Sequence, residues 1–454
     1  MAESVQVLEN IGEETIKLDR VLGKKELMAA AVGQIIGAGI FSLLPQAIGL
    51  TGKGAAIAFI IAAIITIFGL IPRIFANGTI RMNGGNYTHL ALFGGRKLAG
   101  AFLIINIITN VSLSMYALSF AEYFCSSIDG FNIRIVACIC LTMVTILNII
   151  GVKSAAKLQT ILVLVLASAI ALFCAFGVFK IQPNYIQTGG FTPDGIGGIM
   201  GAAALLTFAT GGATTIINFS AEAKNPTKDI PMVMIISTIC VAVMYAIMAV
   251  IATGVLPLET VANKPLNLVA AEILPGPLYV FFIVGGAMFA LLTTLNSQLG
   301  WCTKPLIQGC IDGWLPKWMG KINSKYKTPH NLIIFFYLVG LLPILFNVNM
   351  RALSGTAVFS SKIIDLIIAY TLIKLPKVIP NEWRASRYYV SETKLKIGVA
   401  LSVGAALLAA YLSLRTMNLN AIITNLVTLG IAVSFGYYVD KSGNVDIKVS
   451  YEKE

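Results

Sequence analysis

Gly33-Gln34-Ile35-Ile36-Gly37-Ala38-Gly39-Ile40-Phe41 lies inside an apolar stretch running over 28–50, and its small residues decide the fold. A helix that only anchors a chain can be uniformly Leu, Val and Ile. Glycine in a helix interior costs roughly 1 kcal/mol relative to alanine, so three glycines between 33 and 39 mark either a close helix contact or a place where the helix unwinds. A second such run, Thr207-Phe208-Ala209-Thr210-Gly211-Gly212-Ala213-Thr214-Thr215, interrupts the stretch 196–219. Unwinding frees amide N–H groups at the start of one half-helix and carbonyls at the end of the other. It thus creates an anion site beside a cation site, and a zwitterion needs both.

Around these two runs the chain is apolar throughout. Its 454 residues are 57% hydrophobic and 12% charged, against about 25% charge in soluble domains. Stretches of the roughly 20 residues that cross a bilayer fall at 28–50, 54–76, 98–127, 133–150, 155–179, 196–219, 231–255, 277–308, 331–346, 352–373, 396–414 and 421–438. The expected fold is therefore all-α and membrane-integral, with twelve spans. Breaks in spans one and six match two five-span inverted repeats whose interrupted helices meet at mid-membrane.

The net charge of +12 follows topology. With the N-terminus in the cytoplasm, most Lys and Arg fall on the cytoplasmic side, the positive-inside pattern, while Lys304 and Lys362 read as lying within spans. Clusters such as Lys24 with Lys25, Arg96 with Lys97, and Lys317 to Lys327 read as topology determinants and lipid contacts, not as a nucleic-acid surface. Residues 1–26 are polar and lack the apolar core of a signal peptide. The seven cysteines lack paired spacing and the two histidines, His89 and His330, have no ligand or catalytic pattern, so no metal, cofactor or enzymatic chemistry is expected.

Side chains inside spans add candidates. Asn106 and Asn110, four apart, share a face of span three, where they either line a wet pocket or join helices by hydrogen bonds. Ser354, Gly355 and Thr356 in span ten complete a pocket or pack. Lys362 and Asp365, three apart, are too costly to stand alone at this depth. They pair, either as a gate or proton-linked switch or as a neutral lock. Lys304, near a span end, is expected to extend its ammonium to the headgroups. Glu122 and Glu222 read as structural.

Several separated motifs resemble the amino acid-polyamine-organocation superfamily over most of the chain: Ile36-Gly37-Ala38-Gly39-Ile40-Phe41, Gly84-Gly85-Asn86-Tyr87, Asn148 with Gly151-Val152-Lys153 and Gln159, Glu222-Ala223-Lys224-Asn225-Pro226 with Asp229-Ile230-Pro231, and Asp312-Gly313-Trp314-Leu315-Pro316. The resemblance implies the broken-helix transporter fold. Its parts would be a cytoplasmic tail 1–26, repeats 27–179 and 196–374, a cytoplasmic loop 375–395, peripheral spans within 396–438 and a cytoplasmic tail 439–454, in the cell membrane.

It further implies that amides of Gly37, Ala38 and Gly39 hold a substrate carboxylate and that carbonyls of Ile35, Phe208 and Gly211 hold its ammonium. Phe208 would cover the pocket as an aromatic gate, Asn110 has the better family position of the two asparagines, and Gln298 stands where arginine/agmatine antiporters place a second aromatic. Thr214 replaces a glutamate of some proton-linked members, and Leu166 replaces a lysine of others. Exchange or facilitated movement of a neutral or polar L-amino acid is therefore expected, with Asp365 keeping a proton-linked route open. A cationic amino acid or polyamine would want acidic or doubly aromatic lining; a glutamate-type antiporter would use Lys362 if Asp365 leaves it free. A sensor on the same fold would normally carry a long soluble tail, and no channel filter motif is present. Monomer and homodimer remain equally open.

Overall fold

A computed structural model of the chain describes residues 18–37, 39–128, 130–186, 195–348, 350–415, 419–447 and 451–452, with backbone alone at 42, 126–127, 350–358, 412–413, 415, 420 and 451–452. The chain folds as packed helices: α1 (Lys24–Ile35), α2 (Leu44–Thr51), α3 (Ala55–Asn77), α4 (Arg96–Thr109), α5 (Ser112–Ser127), α6 (Ile133–Ile150), α7 (Val152–Val178), α8 (Gly195–Thr210), α9 (Pro226–Val255), α10 (Phe289–Ile311), α11 (His330–Leu345), α12 (Met350–Thr371), α13 (Glu392–Arg415) and α14 (Leu419–Lys441). Among the described residues nine helical stretches are long and apolar enough to cross a bilayer by length and composition. Twelve were expected. Span one is cut into short pieces, so that α2 runs with α3 as one stretch, Leu44–Asn77; α11 has only 16 residues, and α12 is not among the nine.

Local chemistry sets the helix ends. Glu26, three residues into α1, accepts the Gly23 amide at 2.9 Å, and Asn132 caps α6 by accepting the amides of Arg134 and Ile135, in each case satisfying donors a helix start leaves free. Ile57, Ile60 and Ile64 on α3, and Ile135, Ile139, Met143 and Ile146 on α6, are exposed at helical spacing. In a bilayer such faces meet lipid and need no other cover.

Two large apolar clusters form the interior. One gathers α1, α2, α3, α9 and part of α7 around Ile36, Phe59, Phe173 and Tyr245. The other gathers α4, α5, α6, α10 and α11 around Leu103, Leu141, Leu295 and Phe336. The site lies where they meet.

The loop before α4 is tied to span six. Gly85, in the Gly-Gly-x-Tyr motif, has φ +57°, and a Cβ there would stand 2.0 Å from Asn218 Oδ1, so only glycine fits. The next amide, Asn86 N, donates to that oxygen at 3.2 Å. At the chain's end Arg81–Met82 pairs antiparallel with Tyr451–Glu452.

Candidate functional site

The first-span glycines do break the helix. α1 stops at Ile35, Ile36 and Gly37 form a bend, and a wider turn of helix runs over Gly39–Leu43 before α2. Ala38 lies outside the described residues. The Ile35 carbonyl accepts both the Gly37 amide at 3.0 Å and the Tyr245 hydroxyl at 3.1 Å, so both its lone pairs are used in this arrangement. The Gly33 carbonyl accepts the hydroxyls of Thr293 and Thr294, the latter at 2.9 Å. Neutral hydroxyls thus satisfy the carbonyls that the end of α1 exposes.

Span six departs from expectation. α8 runs to Thr210 and continues directly as a 3-10 helix, Gly211–Phe219, so the helix tightens where unwinding was expected. The shift from i→i+4 to i→i+3 bonding keeps the backbone satisfied. Thr214 and Thr215 hydroxyls add bonds to the carbonyls of Gly211 and Gly212 at 3.0 and 2.9 Å.

The same glycines also let the two spans touch. A Cβ on Gly212 would lie 2.6 Å from the Gln34 carbonyl and one on Gly39 would lie 2.9 Å from Ala209 Cα, both backbone. Of the two alternatives weighed from sequence, close packing is present at both positions and interruption only in span one.

A cavity of about 180 Å³ opens beside this junction. Of the residues singled out in sequence, Ile35, Gly37, Gly39, Phe208, Gly211 and Thr214 line it from spans one and six, and Gln298, Lys362 and Asp365 from α10 and α12. Ser354, Gly355 and Thr356 belong to α12 by backbone, but their side chains lie outside the described residues.

Asn106 and Asn110 are not on the wall. Asn106 Nδ2 donates to the Cys302 carbonyl at 3.1 Å, and Asn110 Nδ2 to the Asn106 carbonyl. Gln298 Nε2 donates to Asn110 Oδ1 at 2.8 Å and Ser112 Oγ at 2.7 Å. The asparagines stand one layer back and hold the glutamine that faces the cavity. Four-residue spacing says that two residues share a face; it does not say which neighbour that face meets.

Thr207, Thr294, Ser361 and Trp301 also line the cavity. Thr294, Gln298 and Trp301 follow i, i+4, i+7 spacing on α10, a signal open to reading from sequence. Trp301 Nε1 donates to Gln34 Oε1 at 3.3 Å. Leu166, by contrast, is buried in the apolar core.

The expected pairing of Lys362 with Asp365 is present, but Asp365 is shared with a second cation. Asp365 Oδ1 lies 2.7 Å from Arg73 Nη2, whereas Lys362 Nζ is 3.6 Å from Asp365 Oδ2. Arg73, near the end of span two, is not singled out in the sequence. It is buried, donates through Nε to Asn86 Oδ1 at 3.1 Å, and leaves Nη1 without a partner. Lys304 does not reach for headgroups: its ammonium lies 2.6 Å from Glu222 Oε1, and both side chains are almost wholly buried. A nearby buried carboxylate outcompetes extension to water, because leaving either charge alone there is prohibitive. Burial raises the Glu222 carboxyl above the usual range, against the pull of Lys304. His89 lies beside Arg73; burial and then that charge lower its pKa to about 3, and its Nε2 lies 3.2 Å from the Ile368 carbonyl.

Among the described residues no three His, Cys, Asp or Glu side chains gather closely enough to hold a metal ion. The chemistry available is recognition: exposed backbone at a helix interruption, hydroxyls, one amide, aromatic cover and a charged edge.

A family model described as amino acid permease matches residues 22–444. A branched-chain amino acid permease of Bacillus subtilis is 28% identical over 351 residues, covering 72% of this chain and 74% of the relative. A methylthioribose transporter of the same organism is 26% identical over 340 residues (69% and 72%), and the human large neutral amino acids transporter small subunit 2 is 26% identical over 343 residues (70% and 63%). With most of its length matched and its helices suited to repeated crossing of a bilayer, this chain is a multi-pass membrane protein that belongs to the amino acid permease family.

Proposed function

We propose that the protein moves a neutral or polar L-amino acid across the cell membrane by alternating access, through exchange or facilitated movement. The observation that carries this reading is the cavity at the interruption of span one, walled by the 3-10 segment of span six and by hydroxyl and amide side chains. In it the substrate carboxylate meets amides of Gly37, Ala38 and Gly39, its ammonium meets carbonyls of span six, and Phe208 covers it. The Gly211 carbonyl becomes available to the ammonium once the Thr214 hydroxyl lets go. Ile35 offers its carbonyl once Tyr245 or Gly37 lets go.

The reading includes twelve spans, with repeats at 27–179 and 196–374, peripheral spans within 396–438, and both tails, 1–26 and 439–454, in the cytoplasm along with loop 375–395. Thr214 and Leu166 carry no charge, which favours exchange or facilitated transport over proton symport through those positions. Relatives named for branched-chain and large neutral amino acids support a neutral substrate.

Uptake of labelled amino acids into proteoliposomes, with and without internal unlabelled amino acid, tests this. Internal amino acid is expected to accelerate uptake if exchange dominates. A chain that neither takes up, exchanges nor binds any amino acid would refute the proposal, and a Gly39→Leu variant that transports normally would refute the placing of the site.

A further inference from the structure

The amide of Gln298 on the cavity wall can point only one way. Asn110 Nδ2 donates to the Asn106 carbonyl at 2.6 Å. A carbonyl oxygen only accepts, so the nitrogen of Asn110 faces Asn106 and Asn110 Oδ1 is left to face Gln298. Ser112 Oγ likewise spends its hydrogen on the Thr109 carbonyl at 2.9 Å. Both groups behind Gln298 are therefore acceptors, and its Nε2 supplies a hydrogen to each, at 2.8 and 2.7 Å. What remains is Oε1. Among the described residues no donor reaches it, and it is not shut away from the cavity. A chain of bonds that begins at backbone carbonyls and takes both amide hydrogens polarises this oxygen and strengthens it as an acceptor.

The hydroxyls around it are committed in the same sense. Thr109, Thr207, Thr214, Thr215 and Thr294 line the cavity, and each donates to a backbone carbonyl, which leaves only lone pairs for a solute. Thr207 and Thr214 also line a second cavity, of about 30 Å³, that runs toward Ser402 on α13 and has room for about two waters. Gln298 lines the main cavity alone.

Resting on the proposed function, we infer that Gln298 determines specificity: its Oε1 accepts a hydrogen bond from the substrate's side chain, and the preferred substrates are L-amino acids with a short side-chain hydroxyl, serine and threonine. An aliphatic side chain of the same shape displaces water from Oε1 and gives nothing back. A side-chain carboxylate brings no hydrogen, and the Lys362 ammonium on the same wall repels a cationic side chain. The cavity, about 180 Å³, is little larger than the roughly 150 Å³ that encloses benzene, which suits a compact side chain.

Threonine and valine share a shape and differ by the hydroxyl, so they make the test. Each is labelled and its uptake into proteoliposomes is measured. The KM of valine is expected to exceed that of threonine by about tenfold or more, the worth of one hydrogen bond to a group otherwise left unpaired. Among unlabelled competitors, serine should outdo α-aminobutyrate, whereas O-methylserine, which keeps the oxygen and lacks the hydrogen, should do no better than norvaline. In Gln298→Met, and in Gln298→Leu should the first not insert, the valine-to-threonine KM ratio should fall by about fivefold or more. A wild-type protein that takes valine as readily as threonine would overturn the inference and leave amino acid transport standing. So would a Gln298→Met protein weakened equally for both, since Oε1 would then meet the α-ammonium. So would O-methylserine competing as well as serine, since the wall would then be donating. No uptake or exchange of any amino acid would overturn both.

Discussion

Among the described residues two buried charge clusters are built in opposite ways. Glu222 and Lys304 form a one-to-one pair at 2.6 Å that lines neither of the two cavities described, with Glu222 Oε2 left without a partner. Arg73, Asp365 and Lys362 form a two-to-one cluster with its uneven edge on a cavity wall. A balanced pair away from both cavities has no net charge to offer a solute and serves to fix helices; an unbalanced one at a wall still has a charge to give. Accessibility and charge count together, rather than burial alone, separate a structural ion pair from a recognition element.

The sharpest way to break this comparison is to remove one partner from the balanced pair. Lys304→Met should lower stability by about 3–5 kcal/mol by leaving a buried charge uncompensated, read as a large drop in the melting temperature of the purified protein. The double change Lys304→Met with Glu222→Leu should recover most of that loss. Failure of the double variant to recover would mean that the pair does more than neutralise itself.

At the unbalanced cluster the same operation should cost less. Arg73→Met leaves Asp365 and Lys362 as a balanced pair, and the expected loss is about 1–3 kcal/mol, chiefly from the freed hydrogen bonds to Asp365 and Asn86. A loss as large as that of Lys304→Met would erase the distinction drawn above.

Acidity probes the same cluster from its neighbour. His89 titrates near pH 3 in the folded protein against an ordinary 6.5, so between those values the unfolded chain binds the proton that the folded chain refuses. Its contribution is therefore fully present above pH 6.5 and is lost as pH falls, by about 1.4 kcal/mol per unit. His89→Gln should flatten that part of the stability curve; an unchanged slope would show that other groups set it. The smallest effect is expected for Lys362→Met, under about 1 kcal/mol of stability, because this ammonium is partly exposed to the cavity and forms the longer contact.

Much of the site was legible because its signals are local. The glycines at 33, 37 and 39 and at 211 and 212 lie within single spans, and both runs line or flank the cavity. The unread parts depend on partners distant in the chain. Lys304 meets a carboxylate 82 positions earlier, and Arg73 meets one 292 positions later; hydropathy sees only that each cation stands near a span end. Asn106 and Asn110 were placed on the correct helix, and their spacing could not tell a cavity from a neighbouring helix. The Gly211-Gly212 pair signals a weak point in a helix without saying whether it unwinds or tightens.

That tightening has a dimension. A 3-10 helix advances about 2.0 Å per residue and an α-helix about 1.5 Å, so the segment Gly211–Phe219, nine residues long, is about 4.5 Å longer than it would be as α-helix. The segment is held near one end by the contact of Gly212 with span one and near the other by Asn218 against the loop at Gly85. Rewinding the six steps between those two contacts as α-helix would shorten them by about 3 Å, roughly half a helical turn, without leaving the backbone unpaired.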